Sequence, residues 1–220
     1  IQAAAGVYSR YSGIVDTDSL VQRLAYLARQ QGVIILLRSD VKGLSRAGEG
    51  YQIELEGETI HARVVINAAG LNSDRVAAMV GMNIDKMGYR LHFCKGEYFQ
   101  LSGRYRINHL VYPAPEKAGL GIHVTMDMAG RLRLGPSAFY VSEPDFSVDE
   151  GHSEQFYTAA RRYLPDLRIE DLKPDFAGIR PKLQGPDDDF RDFVIREESG
   201  NGYPGLINLI GIESPGLTSC

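Results

Sequence analysis

The sequence predicts an α/β fold, an α+β mix, and three stretches carry that prediction. Val64-Val65-Ile66 leads into Asn67-Ala68-Ala69-Gly70 and reads as a buried strand that stops on small residues before a helix. Arg90 to Leu101 alternates with period two, the pattern of a strand with two unlike faces. Leu209-Ile210-Gly211-Ile212 runs into Glu213-Ser214-Pro215-Gly216-Leu217-Thr218, a second strand ending on small residues where a helix begins.

The elements follow in chain order. Ser9 to Asp18 is a loop bent at Gly13, and Asp16, Thr17 or Asp18 can cap the next helix. Leu20, Leu24 and Leu27 give that helix an apolar stripe, and Gly32 is placed to end it. Val33 to Leu37 and Val41 to Ser45 read as strands. Tyr51, Ile53 and Leu55 alternate, and Glu56-Gly57-Glu58 turns the chain back into Thr59 to Asn67. Asn72 or Ser73 can cap the helix through Val80. After Arg90–Leu101 come an extended Val111-Tyr112-Pro113-Ala114-Pro115, then strands at 121–126, 132–135 and 139–141, with Ala129-Gly130 as a hairpin turn. Ser153 can cap a helix bearing Phe156, Ala160 and Tyr163. Phe193–Arg196 and Gly205–Ile212 are the last strands.

Composition narrows the function. The 220 residues suffice for one large domain or two small ones. A net charge of −4 argues against a nucleic-acid surface, which needs a basic field. Cys94 and Cys220 form no CxxC pair, disulfide framework or zinc spacing, so no metal site is expected and a reducing compartment is the default. No apolar run reaches membrane-spanning length. The chain opens without Met and closes where a helix begins, so it is expected to be an interior piece of a longer protein.

Gly200-Asn201-Gly202-Tyr203-Pro204-Gly205 has the letters of G-x-G-x-x-G. It contains a proline and precedes a strand instead of a helix, so it reads as a hairpin loop. The two strands that end on small residues are better places for an anionic ligand. Alternation puts His123 and Thr125 on one face of their strand, opposite Ile122 and Val124, and a polar face there suits a pocket. Arg180-Pro181-Lys182 presents cations rigidly, as carboxylate binding requires. Lys95 and Tyr98 could add a cation and a phenol. Taken singly, each of these residues is more often structural.

Together, Ser12-Gly13-Ile14-Val15-Asp16, Val65 to Leu71, Cys94-Lys95-Gly96-Glu97-Tyr98-Phe99, Gly121 to Thr125, Gly178 to Lys182 and Asn208 to Thr218 resemble a known family. It is the FAD-dependent oxidoreductases of the D-amino-acid-oxidase-like superfamily, nearest the L-2-hydroxyglutarate dehydrogenase/oxidase group. The resemblance implies an incomplete FAD-binding Rossmann-like domain (1–84 and 186–220) and a mostly antiparallel substrate-binding cap (85–185). It implies FAD contacts at Val41, Ala68, Ala69, Gly70 and Asn72, and at Gly211, Glu213, Ser214, Pro215, Gly216, Leu217 and Thr218. The Gly-rich pyrophosphate turn of the family has no counterpart here.

The activity implied is oxidation of a small L-2-hydroxy acid, L-2-hydroxyglutarate to 2-oxoglutarate, by hydride transfer to flavin N5. His123, ahead of His92, is the expected base, because a neutral imidazole near its ordinary pKa suits that role. Lys95, Arg180 and Lys182 are expected at the substrate carboxylates, and Tyr98 and Thr125 at its hydroxyl. The alternatives are an amine or amino-acid oxidase of glycine or sarcosine type, or a non-catalytic flavin-free fragment. The electron acceptor, a quinone or oxygen, stays open. The location expected is cytoplasmic, or peripheral at the inner face of the membrane.

Overall fold

The computed structural model describes residues 1–114 and 121–219; Pro115 of the extended segment and Cys220 lie outside them. The described chain forms two compact units, each built from three chain segments.

The first unit comprises residues 1–35, 95–139 and 145–178. Its helix α1 (Thr17–Gln30) starts where Asp16 accepts a hydrogen bond from the Ser19 N–H, satisfying a donor the helix cannot pair itself. The Leu20/Leu24/Leu27 stripe predicts a packed face, but no residue of α1 is buried. Val33 to Leu37, expected as a strand, has no ladder partner and is irregular. In its sheet, β6 (His123–Met126) pairs antiparallel with β7 (Leu132–Gly135), and β7 antiparallel with β5 (His92–Leu101). β8 (Phe139–Val141) and β9 (Leu172–Lys182) complete it on β5. Phe99, Val124 and Leu134 project from the sheet onto Phe156 and Ala160 of α4 (Ser153–Ala160), and Leu164, Leu167 and Leu172 close that core. The Phe99 and Phe156 rings sit 4.6 Å apart, tilted. Ser153 does not cap α4 with its side chain. Asp149 instead accepts from the Gly151 N–H in the turn before it.

The second unit comprises residues 36–94, 140–144 and 179–220. β1 (Gly43–Ala47), β2 (Gly50–Glu54) and β3 (Thr59–Ala62) form the expected antiparallel meander; β1 begins two residues after Val41. β10 (Val194–Glu197) and β11 (Leu206–Ile210) are antiparallel, so the G-x-G-x-x-G letters do lie in a hairpin. β11 then pairs in parallel with β4 (Val65–Asn67), Asn208 opposite Asn67. β4 differs from expectation in burial. Ile66 is 61% exposed and Val64 is exposed, because β4 is the outer strand of this three-stranded sheet. Leu44, Tyr51, Ala77, Leu206 and Ile210 make the core, with α2 (Ser73–Met79) laid on it. Asn72 occupies the N-cap of α2 but makes no side-chain cap bond. α3 (Ile84–Met87) and α5 (Gly216–Ser219) are single turns.

Candidate active site

Every predicted cofactor residue, with Arg180 and Lys182, lies in the second unit. Asn67, 2% exposed, closes β4. Its Nδ2 donates to the Ser73 carbonyl (2.7 Å) and to Asn208 Oδ1 (2.9 Å), and its Oδ1 accepts from the Ala69 N–H (3.3 Å). The strand end is thereby tied to the turn that follows it. Ala68, Ala69 and Gly70 are exposed. Gly70 has φ +55° and open space where a Cβ would stand, so a flat group can lie against this backbone. Just behind, the Ser73 hydroxyl is buried with no hydrogen-bond partner. Val41 is partly exposed.

The other small-residue turn is packed differently. A Cβ on Gly211 (φ +74°) would stand 2.7 Å from Leu183 Cγ, so this glycine makes room for a side chain of its own unit. The Glu213 side chain, 14% exposed, accepts from Lys182 Nζ at 2.6 Å. Ser214, Pro215, Leu217 and Thr218 are exposed, and Gly216 is buried against Ile212. The Thr218 N–H and hydroxyl both donate to the Pro215 carbonyl. Arg180 lies close enough to the buried Cys94 thiol to act on it electrostatically. Burial pushes the Cys94 thiol above its ordinary pKa, outweighing the pull of Arg180 and Lys182. Lys182 is therefore already matched by a carboxylate, whereas Arg180 has no carboxylate partner among the described residues.

His123, Thr125, Tyr98 and Lys95 lie in the first unit. His123 is buried, its ring 4.1 Å from that of the half-exposed Tyr112. Thr125 stands opposite Arg133 in the β6–β7 ladder. Tyr98 stacks on Phe176 at 4.6 Å. Lys95 is fully engaged: Nζ is 2.6 Å from Asp145 Oδ2 and 3.3 Å from Glu97 Oε1. Burial opposes its charge, but the bonds to Asp145 and Glu97 win and hold its pKa above the ordinary value. Glu97, wholly buried, also accepts from the Asp149 N–H and sits 2.6 Å from His152 Nδ1.

Sequence reasoning missed Glu97, Asn208 and Glu198. A carboxylate inside an alternating strand, as Glu97 is, was the one available signal. Two clefts, of about 510 and 550 Å³, are lined around Arg104, Arg106 and Arg168 and around Arg75, Met79 and Arg90. Neither touches any predicted site residue.

A family model described as FAD dependent oxidoreductase (DAO) matches residues 2–220. The mitochondrial L-2-hydroxyglutarate dehydrogenase of Arabidopsis thaliana is 42% identical over 168 residues, which cover 71% of this chain and 35% of that protein. The glycerol 3-phosphate dehydrogenase of Caloramator mitchellensis is 30% identical over 216 residues, 97% of this chain and 43% of that one. The solved L-alpha-glycerophosphate oxidase from Mycoplasma pneumoniae, dithionite-reduced with FAD bound, has a TM-score of 0.73 at 24% identity; the match covers 90% of this chain and 51% of that one, and it establishes the fold. The chain thus spans between a third and about half the length of these three proteins. No described helix is long and apolar enough to cross a membrane. With the family model running from residue 2 to residue 220, the chain belongs to the FAD-dependent oxidoreductases of the DAO family.

Proposed function

We propose that this chain forms part of an FAD-dependent enzyme that oxidises L-2-hydroxyglutarate to 2-oxoglutarate. The observation that carries the reading is Arg180, a cation on β9 near the buried Cys94 thiol, with no carboxylate partner among the described residues. A guanidinium so placed is ready for a substrate carboxylate, which it can grip through two parallel N–H bonds. The 42% identity to an L-2-hydroxyglutarate dehydrogenase supports the same substrate class. FAD, when bound, accepts the two electrons and the C2 hydrogen. The open backbone at Ala68–Gly70 fits a flat cofactor, and Val41, Asn72 and the 211–218 turn are the further residues assigned to hold it. Residues 1–84 and 186–220 then belong to the cofactor domain and 85–185 to the cap. His123 takes the C2 hydroxyl proton on an imidazole nitrogen as the carbonyl forms, and Tyr98 and Thr125 orient that hydroxyl. The final acceptor is oxygen or a quinone, distinguished by oxygen uptake.

A second reading, oxidation of glycerol 3-phosphate, has support in the 30% identity over 97% of this chain. Anaerobic mixing of the full-length holoenzyme with L-2-hydroxyglutarate, glycerol 3-phosphate, glycine or sarcosine separates the readings. Bleaching of the flavin absorbance by L-2-hydroxyglutarate is expected, and Arg180→Met should raise its KM roughly tenfold or more, the scale of one lost charge-assisted bond. Bleaching by glycerol 3-phosphate or an amino acid alone overturns the proposal.

A further inference from the structure

We infer that Glu198 is a positioning residue for the FAD-contacting turn Ala68–Gly70, acting through Asn208 and Asn67. The inference rests on the reading that this turn meets FAD. Glu198 is wholly buried at the end of the β10–β11 hairpin, and its hydrogen bonds come from neutral donors. Tyr89 Oη donates to Oε1 at 2.8 Å, Asn208 Nδ2 to Oε1 at 2.9 Å and Asn201 Nδ2 to Oε2 at 2.6 Å.

The polarity of this chain of bonds is forced. A carboxylate only accepts, so Asn208 must turn its NH₂ toward Glu198 and its Oδ1 toward Asn67. Asn67 must answer with its own NH₂, which leaves its Oδ1 facing the Ala69 N–H. A reversed Asn208 would set its NH₂ against that of Asn67 and its oxygen against Glu198, and a reversed Asn67 would set its NH₂ against the Ala69 N–H. Two acceptor-only groups, the Glu198 carboxylate at one end and the Ser73 carbonyl at the other, thus fix the two amide orientations and, through them, the first backbone bond of the turn; Glu198 sets Asn208 and so supplies the acceptor for the second Asn67 N–H. Tyr89 ties the relay to the core: its hydroxyl is pushed up to about 12 by burial first and then by Glu198, so it stays a donor. Asn208 Nδ2 also lies 3.5 Å from Met82 Sδ, a weak acceptor that leaves Glu198 as the group deciding its direction.

The test uses full-length protein with Glu198→Leu, Glu198→Gln and, as a control, Leu44→Ala, which weakens the same core away from the relay. Two quantities are read: exchange of the Asn67 side-chain NH₂ with water by NMR, and the FAD dissociation constant. Glu198→Leu should speed the exchange and weaken FAD binding, each about tenfold or more. Glu198→Gln can keep Oε1 on Tyr89 and Asn208 while Asn201 flips, so it should stay within about threefold of wild type. Leu44→Ala, compared at matched thermal stability, should leave both quantities near wild type. If Glu198→Leu does not fold, Asn208→Leu cuts the relay one link further on and is read in the same way. Equal effects of Glu198→Leu and Leu44→Ala overturn the inference. A wild-type protein that takes up no FAD overturns the functional reading instead; Asn67 exchange then still decides the relay.

Discussion

Replacing Lys95 by Met decides whether this residue serves substrate or structure. Its ammonium lies between a half-exposed carboxylate, Asp145, and a wholly buried one, Glu97. Removing it leaves the Glu97 charge in the interior with the Asp149 N–H and the His152 ring as its remaining partners among the described residues. Losing one partner of a buried pair costs about 3–5 kcal/mol, and the exposed Asp145 arm adds little to that. The assay is urea unfolding followed by circular dichroism at neutral pH. Lys95→Met/Glu97→Gln should recover most of the loss, since a neutral amide can keep the Asp149 bond and donate to a neutral His152. There is a pH signature as well. The Lys95 bond, with help from Ser147, holds the Asp145 carboxyl down at about 2 against an ordinary 3.8. A depressed carboxyl stabilises the fold above its unfolded value and loses that contribution as pH falls toward the folded one. Wild type should therefore lose stability between roughly pH 5 and 2 through this group, and Lys95→Met should flatten that stretch. A Lys95→Met protein within 1 kcal/mol of wild type (the scale of an exposed pair) that has lost substrate affinity would refute this reasoning and return Lys95 to the substrate.

Two further predictions concern the second unit. Ser73 is fully buried with an unpartnered hydroxyl, so Ser73→Ala should be neutral or stabilise by about 0.5–1 kcal/mol, since the buried oxygen goes and alanine suits a helix better; a loss of stability on thermal unfolding would show that the hydroxyl is satisfied. Cys94, buried and raised in pKa, should react with iodoacetamide about tenfold or more slowly than an exposed thiol, followed by mass spectrometry of its peptide; rapid labelling of the folded protein would contradict the burial.

The sequence was most legible where a local rule decides. Asp16, the Glu56-Gly57-Glu58 turn and the proline-bearing hairpin of residues 200–205 each obey chemistry confined to a few neighbours. It misled where the answer depends on which face is covered. Val64-Val65-Ile66 has the run of a buried strand, yet its position as the outer strand exposes Ile66. The α1 leucines have the right spacing and no cover in this structure. At the candidate site, residue types that suit the chemistry were visible, but their partners were not. Lys182 with Glu213, and Lys95 with Glu97 and Asp145, read as free cations until distant segments are brought beside them. Glu198 sits in an unremarkable Arg-Glu-Glu-Ser run, and only the fold shows it to be the buried end of a polar relay.

The partnership of Asn67 with Asn208, 141 residues apart, also has a temporal side. A ribosome adding about 5–20 residues per second needs roughly 7–28 s to cover that distance. Through that interval β4 is synthesised and has no partner along its parallel ladder, because β11 does not yet exist. The polar centre of the second unit must therefore wait for β11, while the β1–β3 meander and the first unit's sheet can fold from residues already made. Slowing translation across residues 70–205 should lengthen the time that the β4 edge stays open to chaperones, and a chain halted before Leu206 should never close it.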